Sequence, residues 1–314
     1  MNIIDHQSII NLGIGTSEFY EWVEEMLINK ETAILPPKIS MKPTKHIFYN
    51  TMPSIIPKYN IAGVKVVSRY PNRIPALDSQ ILLYDLEKGN LKALLDGNYI
   101  TAMRTGAVAA FSIELLAIKE YKTIAMIGLG NTARATFKIL VDKNKDRELT
   151  IKLYDYKNRA RNFANEFEKY KNVRFEIYDS YDKVISGSDV VISCVTYAKG
   201  DFCSNHCYKE GCLVVPVHTL GFQNCDLFFD KVFADDINHV KGFKYFDKFK
   251  KLAEISEVVT GKKEGRKNEK ERILAYNIGI SLHDIFFAQK IYELIGDDFK
   301  EEVELNAPKE KFWV

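Results

Sequence analysis

Two cations stand where this chain otherwise places apolar groups. Arg104 interrupts the stretch Leu94 to Phe111 (LLDGNYITAMRTGAVAAF), and Lys65 lies between Val64 and Val66 in IAGVKVVSRYP. The run from Thr105 to Ala110 is small and apolar, so it reads as a closely packed, buried helix with Arg104 in its first turn. A dry, unpaired guanidinium would cost on the order of several kcal/mol. Its partner is therefore a buried carboxylate, or a carboxylate that arrives with a ligand. Lys65 admits two readings. Its ammonium points inward and must meet a partner, or alternation along a strand turns it outward as the polar face.

A third feature is made of backbone. Gly128-Leu129-Gly130-Asn131-Thr132-Ala133 follows the apolar run TIAMI and opens a segment with helical spacing, NTARATFKILVD. The pattern GxGxxA in that setting gives a tight turn, close backbone approach to a pyrophosphate and small-residue packing of helix on strand. The helix N-terminus adds amides and partial positive charge for the phosphates. Asp155 ends the next strand, 25 positions past Gly130 (155 − 130). A carboxylate there accepts hydrogen bonds from ribose hydroxyls and repels a 2′-phosphate, which favours NAD over NADP. Lys157 and Arg159 are the cations that would serve NADP.

The elements that must hold these groups differ along the chain. From Thr123 onward, TIKLYD, NVRFEIYD, DVVISCVT, GCLVVPV and DKVFADD read as strands, and KNRARNFANEFEKY as an amphipathic helix. Such alternation predicts βαβ units and a doubly wound parallel sheet of Rossmann type, with apolar strands buried on both faces. Before it, KHIFYNTMPSII, IAGVKVVSRYP and SQILLYDLEKGNLKALLDG read as consecutive strands of an antiparallel α+β piece, with EKGN as a hairpin turn. The end, RILAYNIGISLHDIFFAQKIYELIG, is expected to be helical. The division expected is residues 119–284 for dinucleotide binding, and 1–118 with 285–314 for substrate binding and dimerisation.

The totals narrow the partners. The chain has 314 residues and a net charge of +2, from 44 basic and 42 acidic residues, too weak a field to favour nucleic acid or a membrane surface. The basic run KKEGRKNEKER carries three glutamates and reads as a solvated loop and helix start. No apolar run reaches the ~20 residues of a membrane span. The start MNIIDHQSIINLGIG lacks a basic region followed by a continuous apolar one, so a cytoplasmic location is expected. Five cysteines, at 194, 203, 207, 212 and 225, are expected as reduced thiols. CSNHCYKEGC places His206 among three of them but lacks the CxxC pair of zinc ribbons, so no metal is expected.

Taken together, VKVVSRYPN, ALLDGNYITAMRTGAVAA, IAMIGLGNTA and GRKNEKERILAYNIGISLHD resemble the ornithine cyclodeaminase/mu-crystallin family, from about Pro36 to the C-terminal helices. The LLDG…T…RT block is the specific part. The resemblance implies NAD(P)-dependent chemistry on amino, imino or 2-oxo acids and a homodimer formed through the N-terminal domain. It assigns Lys65 and Arg104 to the substrate and Thr105 to the cofactor. Arginine's planar fork suits bidentate capture of an α-carboxylate, and the lysine can polarise a carbonyl or imine. A second family arginine that follows a proline is replaced by Pro36-Pro37-Lys38, which makes Lys38 the candidate.

One departure matters most. Ornithine cyclodeaminases grip the substrate amine with an aspartate just after a glycine, in the loop following the fifth strand. Here Phe222 follows Gly221, and Asp226 is the first carboxylate in VPVHTLGFQNCDLFFD. Asp226 and His218, which lies at a strand's C-terminal end, are the catalytic candidates of that loop. His239, after Asp235 and Asp236, is placed to line the nicotinamide side. His283, with Asp284 beside it, reads as structural, and Asn277 receives no role. The expected activity is NAD-dependent hydride transfer to or from a substrate α-carbon. The alternatives are ornithine cyclodeamination with NAD recycled, and a non-catalytic nucleotide- or ligand-binding protein of mu-crystallin type.

Overall fold

The computed structural model describes residues 1–196, 198, 200–217, 228–297, 301–304 and 309–312. Along the chain run β1 (Asn2–Ile4), α1 (His6–Asn11), α2 (Thr16–Asn29), β2 (Ile39–Met41), β3 (Phe48–Ile56), β4 (Ile61–Arg69), β5 (Leu77–Asp85), β6 (Leu91–Asp96) and α3 (Asn98–Leu116). Next come β7 (Thr123–Ile127), α4 (Asn131–Lys143), β8 (Leu149–Tyr154), α5 (Ala160–Glu166), β9 (Val173–Tyr178), α6 (Tyr181–Ile185), β10 (Val190–Ser193) and β11 (Leu213–Pro216). The remainder is β12 (Lys231–Ala234), α7 (Ile237–Val240), β13 (Ala253–Glu254), α8 (Ile255–Val259), β14 (Ile273–Tyr276), α9 (Ser281–Ile295) and β15 (Glu301–Glu302).

The chain forms two compact units. One comprises Met1–Ile14, Glu31–Thr101 and Ser281–Val314; the other comprises Gly15–Lys30 and Ala102–Ile280. The boundary falls inside α3, and α2 belongs to the second unit.

The first unit is a mixed sheet in the order β15-β1-β6-β5-β4-β3-β2, antiparallel except for the parallel pair β1 and β6. Alternation along β4 buries Ile61, Gly63, Lys65 and Val67. Helix α9 covers that face closely: a Cβ on Gly63 would lie 2.6 Å from Ile285 Cδ1. A Cβ there would also lie 2.7 Å from Leu82 O of the neighbouring strand, so glycine is the residue that fits.

The second unit is an eight-stranded, all-parallel sheet in the order β13-β12-β14-β11-β10-β7-β8-β9. The order turns between β7 and β10, which is where ligand crevices open in such sheets. The strands VVIS, LVVP and KVFA are buried at every position, as strands covered on both faces must be.

Three sequence expectations change. RILAY does not begin the last helix: Ile273–Tyr276 is β14, inserted between β11 and β12. A four-residue apolar run has no period of its own, so its helical neighbours disguised it. Likewise, the basic run before it starts no helix and leads into β14. Helix α3 begins at Asn98, so Arg104 stands in its second turn, beyond the free amides of the helix start.

Candidate functional site

The dinucleotide loop is built by exclusion. Gly128 has φ +86°, and a Cβ there would lie 2.7 Å from the backbone carbon of Cys194 and 2.8 Å from Val195 N. Only glycine fits so close to the end of β10. Gly130 is the N-cap of α4 with extended backbone, and a Cβ on it would meet no protein atom within 4 Å. It faces open space, the cradle a pyrophosphate requires, with Asn131, Thr132 and Ala133 forming the first turn behind it. Ala133 is buried, as close packing of helix on strand demands. The residues present fit a dinucleotide.

Helix α3 reaches this loop through its small residues. A Cβ on Gly106 would lie 2.6 Å from the backbone of Ala135 and Thr136, so α3 and α4 cross almost backbone to backbone. Arg104, 4% exposed, and Thr105 precede that crossing on α3. The guanidinium lies against Gly279, whose φ is +84°; a Cβ there would collide with it, 3.1 Å from Cζ. Asp235, fully buried at the end of β12, sets this floor by accepting from Gly279 N at 2.6 Å and from Asp236 N at 3.0 Å. Asp236 is committed elsewhere: it caps α7 at Asn238 N and pairs with Lys30 Nζ at 2.9 Å. His239 is half-buried on α7.

Asn277 is the residue the sequence passes over. It follows β14 at the carboxyl edge of the sheet and is 1% exposed. Neither its Oδ1 nor its Nδ2 has a hydrogen-bond partner among the described residues. A buried amide left so costs about 1–3 kcal/mol per group, and a nicotinamide carboxamide offers the complementary donor and acceptor.

Asp155 stands at the end of β8, half-buried, and its Oδ1 accepts from Ala160 N at 3.0 Å. One oxygen is thus occupied in holding the start of α5. Lys157 and Asn158 both take left-handed backbone, with φ 57°, and Lys157 and Arg159 are exposed.

In the first unit Lys65 is 1% exposed, which removes the outward reading. Its Nζ lies 2.7 Å from Asp284 Oδ2 on the first turn of α9, a carboxylate with no exposure. The register places Lys65 opposite Met52, and Ile39 opposite Thr51. Lys38 is half-buried and lies just before β2. Asp284 is the second residue that sequence reasoning undervalues. The available signal was a carboxylate in the otherwise apolar run SLHDIFF, which a buried helix does not carry without a partner. His283 beside it is fully buried. His218 and Asp226 lie outside the described residues.

The chain matches the ornithine cyclodeaminase/mu-crystallin family over residues 2–298. It is 27% identical to the nodulation efficiency protein NfeD of Rhizobium meliloti over 270 residues, 82% of this chain and 83% of that protein. It is 25% identical to a Δ1-pyrroline-2-carboxylate reductase of Bacillus cereus, covering 77% of this chain and 80% of the other. Among solved structures it is similar to Thermococcus litoralis Δ1-pyrroline-2-carboxylate reductase in complex with NADH and L-proline. That likeness has TM-score 0.85 and 26% identity, and covers 96% of this chain and all (100%) of the other.

Proposed function

This chain belongs to the ornithine cyclodeaminase/mu-crystallin family, and from that premise we propose that it reduces the C=N bond of a small 2-imino acid, with NAD preferred over NADP. It is an oxidoreductase that moves a hydride between a nicotinamide nucleotide and the α-carbon of an amino or imino acid. The observation that carries the finer reading is the buried Lys65–Asp284 pair. A lysine Nζ held in a core 2.7 Å from a buried carboxylate is a preset hydrogen-bond donor, and the carboxylate fixes its position.

When bound, the nucleotide supplies the hydride. Arg104 takes the substrate carboxylate as a bidentate partner, and Gly279 leaves room for the guanidinium to lie flat. Lys65 Nζ donates to the imine nitrogen, which gathers negative charge as hydride reaches the neighbouring carbon. Lys38 contributes a second cation. Asn277 would pair with the carboxamide, Thr105 and residues 128–133 would hold the phosphates, and the remaining oxygen of Asp155 would receive a ribose hydroxyl. That last contact favours NAD.

The partners follow the same reading. The protein dimerises through the outer face of its antiparallel sheet, where Ile34, Pro36, Pro53, Ala62, Val64 and Tyr84 line an apolar cavity of about 240 Å³. Among the described residues no helix is long and apolar enough to cross a membrane.

The deciding assay follows nicotinamide absorbance with Δ1-pyrroline-2-carboxylate, other imino acids and 2-oxo acids. Turnover with NADH and the cyclic imine is expected, with a lower kcat/KM for NADPH. Ornithine consumption that yields proline and ammonia without net change in NADH would replace this reading with the cyclodeaminase.

A further inference from the structure

The segment from Cys203 to Cys212 takes no part in hydride transfer, yet the fold gives it a third ligand that its own spacing lacks. Cys203 Sγ, Cys207 Sγ and a carboxylate oxygen of Asp182 lie within 4.8 Å of one another. Cys207 Sγ donates to Asp182 Oδ1 at 3.3 Å. Asp182 stands on α6, between β9 and β10, whereas the two thiols follow β10. The chain thus brings them together from positions 21 and 25 residues apart (203 − 182; 207 − 182). Cys207 is buried, Cys203 half-buried and Asp182 exposed, so the group has an apolar back and an open front. The residues preceding Asp182 and Cys203, Tyr181 and Phe202, meet edge to face with ring centres 4.9 Å apart.

We propose that Asp182, Cys203 and Cys207 bind a divalent cation of the zinc class, with water completing a tetrahedron at the open front. The dimensions agree. Zinc–sulfur bonds of about 2.3 Å and zinc–oxygen bonds of about 2.0 Å give tetrahedral edges of about 3.5 Å between S and O and about 3.8 Å between two S. The three donor atoms, all within 4.8 Å of one another, are spaced on the order of those edges. The donor set is also chemically suited, since two soft thiolates and one carboxylate select zinc over calcium or magnesium.

A disulfide uses the same site less well. Oxidation would remove the thiol hydrogen that Cys207 donates to Asp182 at 3.3 Å and leave that carboxylate unused. A cation uses all three groups. On binding, each thiol releases one proton to solvent, no electrons move, and the site carries net charge −1 from two thiolates, one carboxylate and the dication. Cys212 makes a useful contrast, because burial pushes its thiol up to about 12, and it offers no ligand. The ion would tie α6 to the segment following β10, the strand whose end Gly128 touches.

Full-length protein, reduced and stripped with chelator, is titrated with Co(II). One equivalent per chain is expected, with a thiolate-to-cobalt charge-transfer band and the visible bands of tetrahedral cobalt. Zn(II) should displace it and raise Tm. Cys203→Ser should abolish the charge-transfer band. Asp182→Asn should weaken binding by at least about tenfold, since even neighbours of metal ligands are worth that much. Both positions are at least partly exposed, so circular dichroism should show an unchanged fold. No band in the wild type, a band retained in Cys203→Ser, or wild-type affinity in Asp182→Asn would each overturn the site. So would a Cys203–Cys207 disulfide in fresh protein that takes up no cobalt after reduction.

Discussion

In the parallel-sheet unit the dinucleotide loop works by its backbone, and in the antiparallel-sheet unit the Lys65–Asp284 pair works by charge. Gly128 and Gly130 act by what they lack, because one has no space for a Cβ and the other keeps space open. Lys65 and Asp284 act by what they carry, an ion pair 2.7 Å long at a helix–sheet interface. The two kinds of site fail differently. A backbone site fails when an atom is added. A charge site fails when one partner is removed, and removing both restores the packing while abolishing the chemistry.

The largest effect should come from Lys65→Met. We expect kcat to fall by about 10²- to 10⁴-fold, the range of a positioned proton donor, with nucleotide affinity unchanged. Equal losses in nucleotide binding would show that Lys65 serves the fold alone. Asp284→Ala comes next: it strands a buried ammonium and should cost about 3–5 kcal/mol in denaturant unfolding. The double variant Lys65→Met with Asp284→Leu should recover most of that stability and none of the activity. A double variant as unstable as the single one would break the comparison.

Arg104→Lys removes the fork but keeps the charge. Loss of one charge-assisted hydrogen bond, about 1.5–3 kcal/mol, predicts a rise in KM of about 10- to 150-fold. Nucleotide affinity should stay within error; its loss would remove Arg104 from the substrate. The glycines then separate from each other. Gly128→Ala should destabilise the fold by about 1–3 kcal/mol through its left-handed backbone and its neighbours. Gly130→Ala should leave Tm unchanged and weaken NADH binding, measured by fluorescence titration. The smallest effect is expected for Asp155→Ser, which should shift the NADH-to-NADPH ratio of kcat/KM by about tenfold, or ~1.4 kcal/mol. An unchanged ratio would mean that Asp155 only holds the start of α5.

The same difference governs what could be read from the chain. The loop from Gly128 to Ala133 is legible because its six residues are contiguous and the turn they make is local. Arg104 is legible as a burial anomaly, although its helix starts a turn earlier than the small residues suggest. Lys65 is only half legible, because apolar neighbours on both sides leave the strand's buried face undecided until β4 is covered by α9. Asp284 lies 219 positions from Lys65 (284 − 65), and no spacing rule connects them. β14 is hidden for a related reason, since a short run buried on both faces has no alternation to reveal it.

The sequence by itself determined most classes of element, the dinucleotide loop and the need of a buried Arg104 for a carboxylate, because each follows from local sterics or from the cost of an unpaired charge. Only the tertiary structure decided which distant groups meet. Asp284 beside Lys65, Asp235 holding Gly279 N under Arg104, and Asp182 beside Cys207 are all long-range pairings. They exist because packing whole elements together brings distant groups within reach of Coulomb attraction and hydrogen bonding, interactions that depend on separation in space and not on separation along the chain.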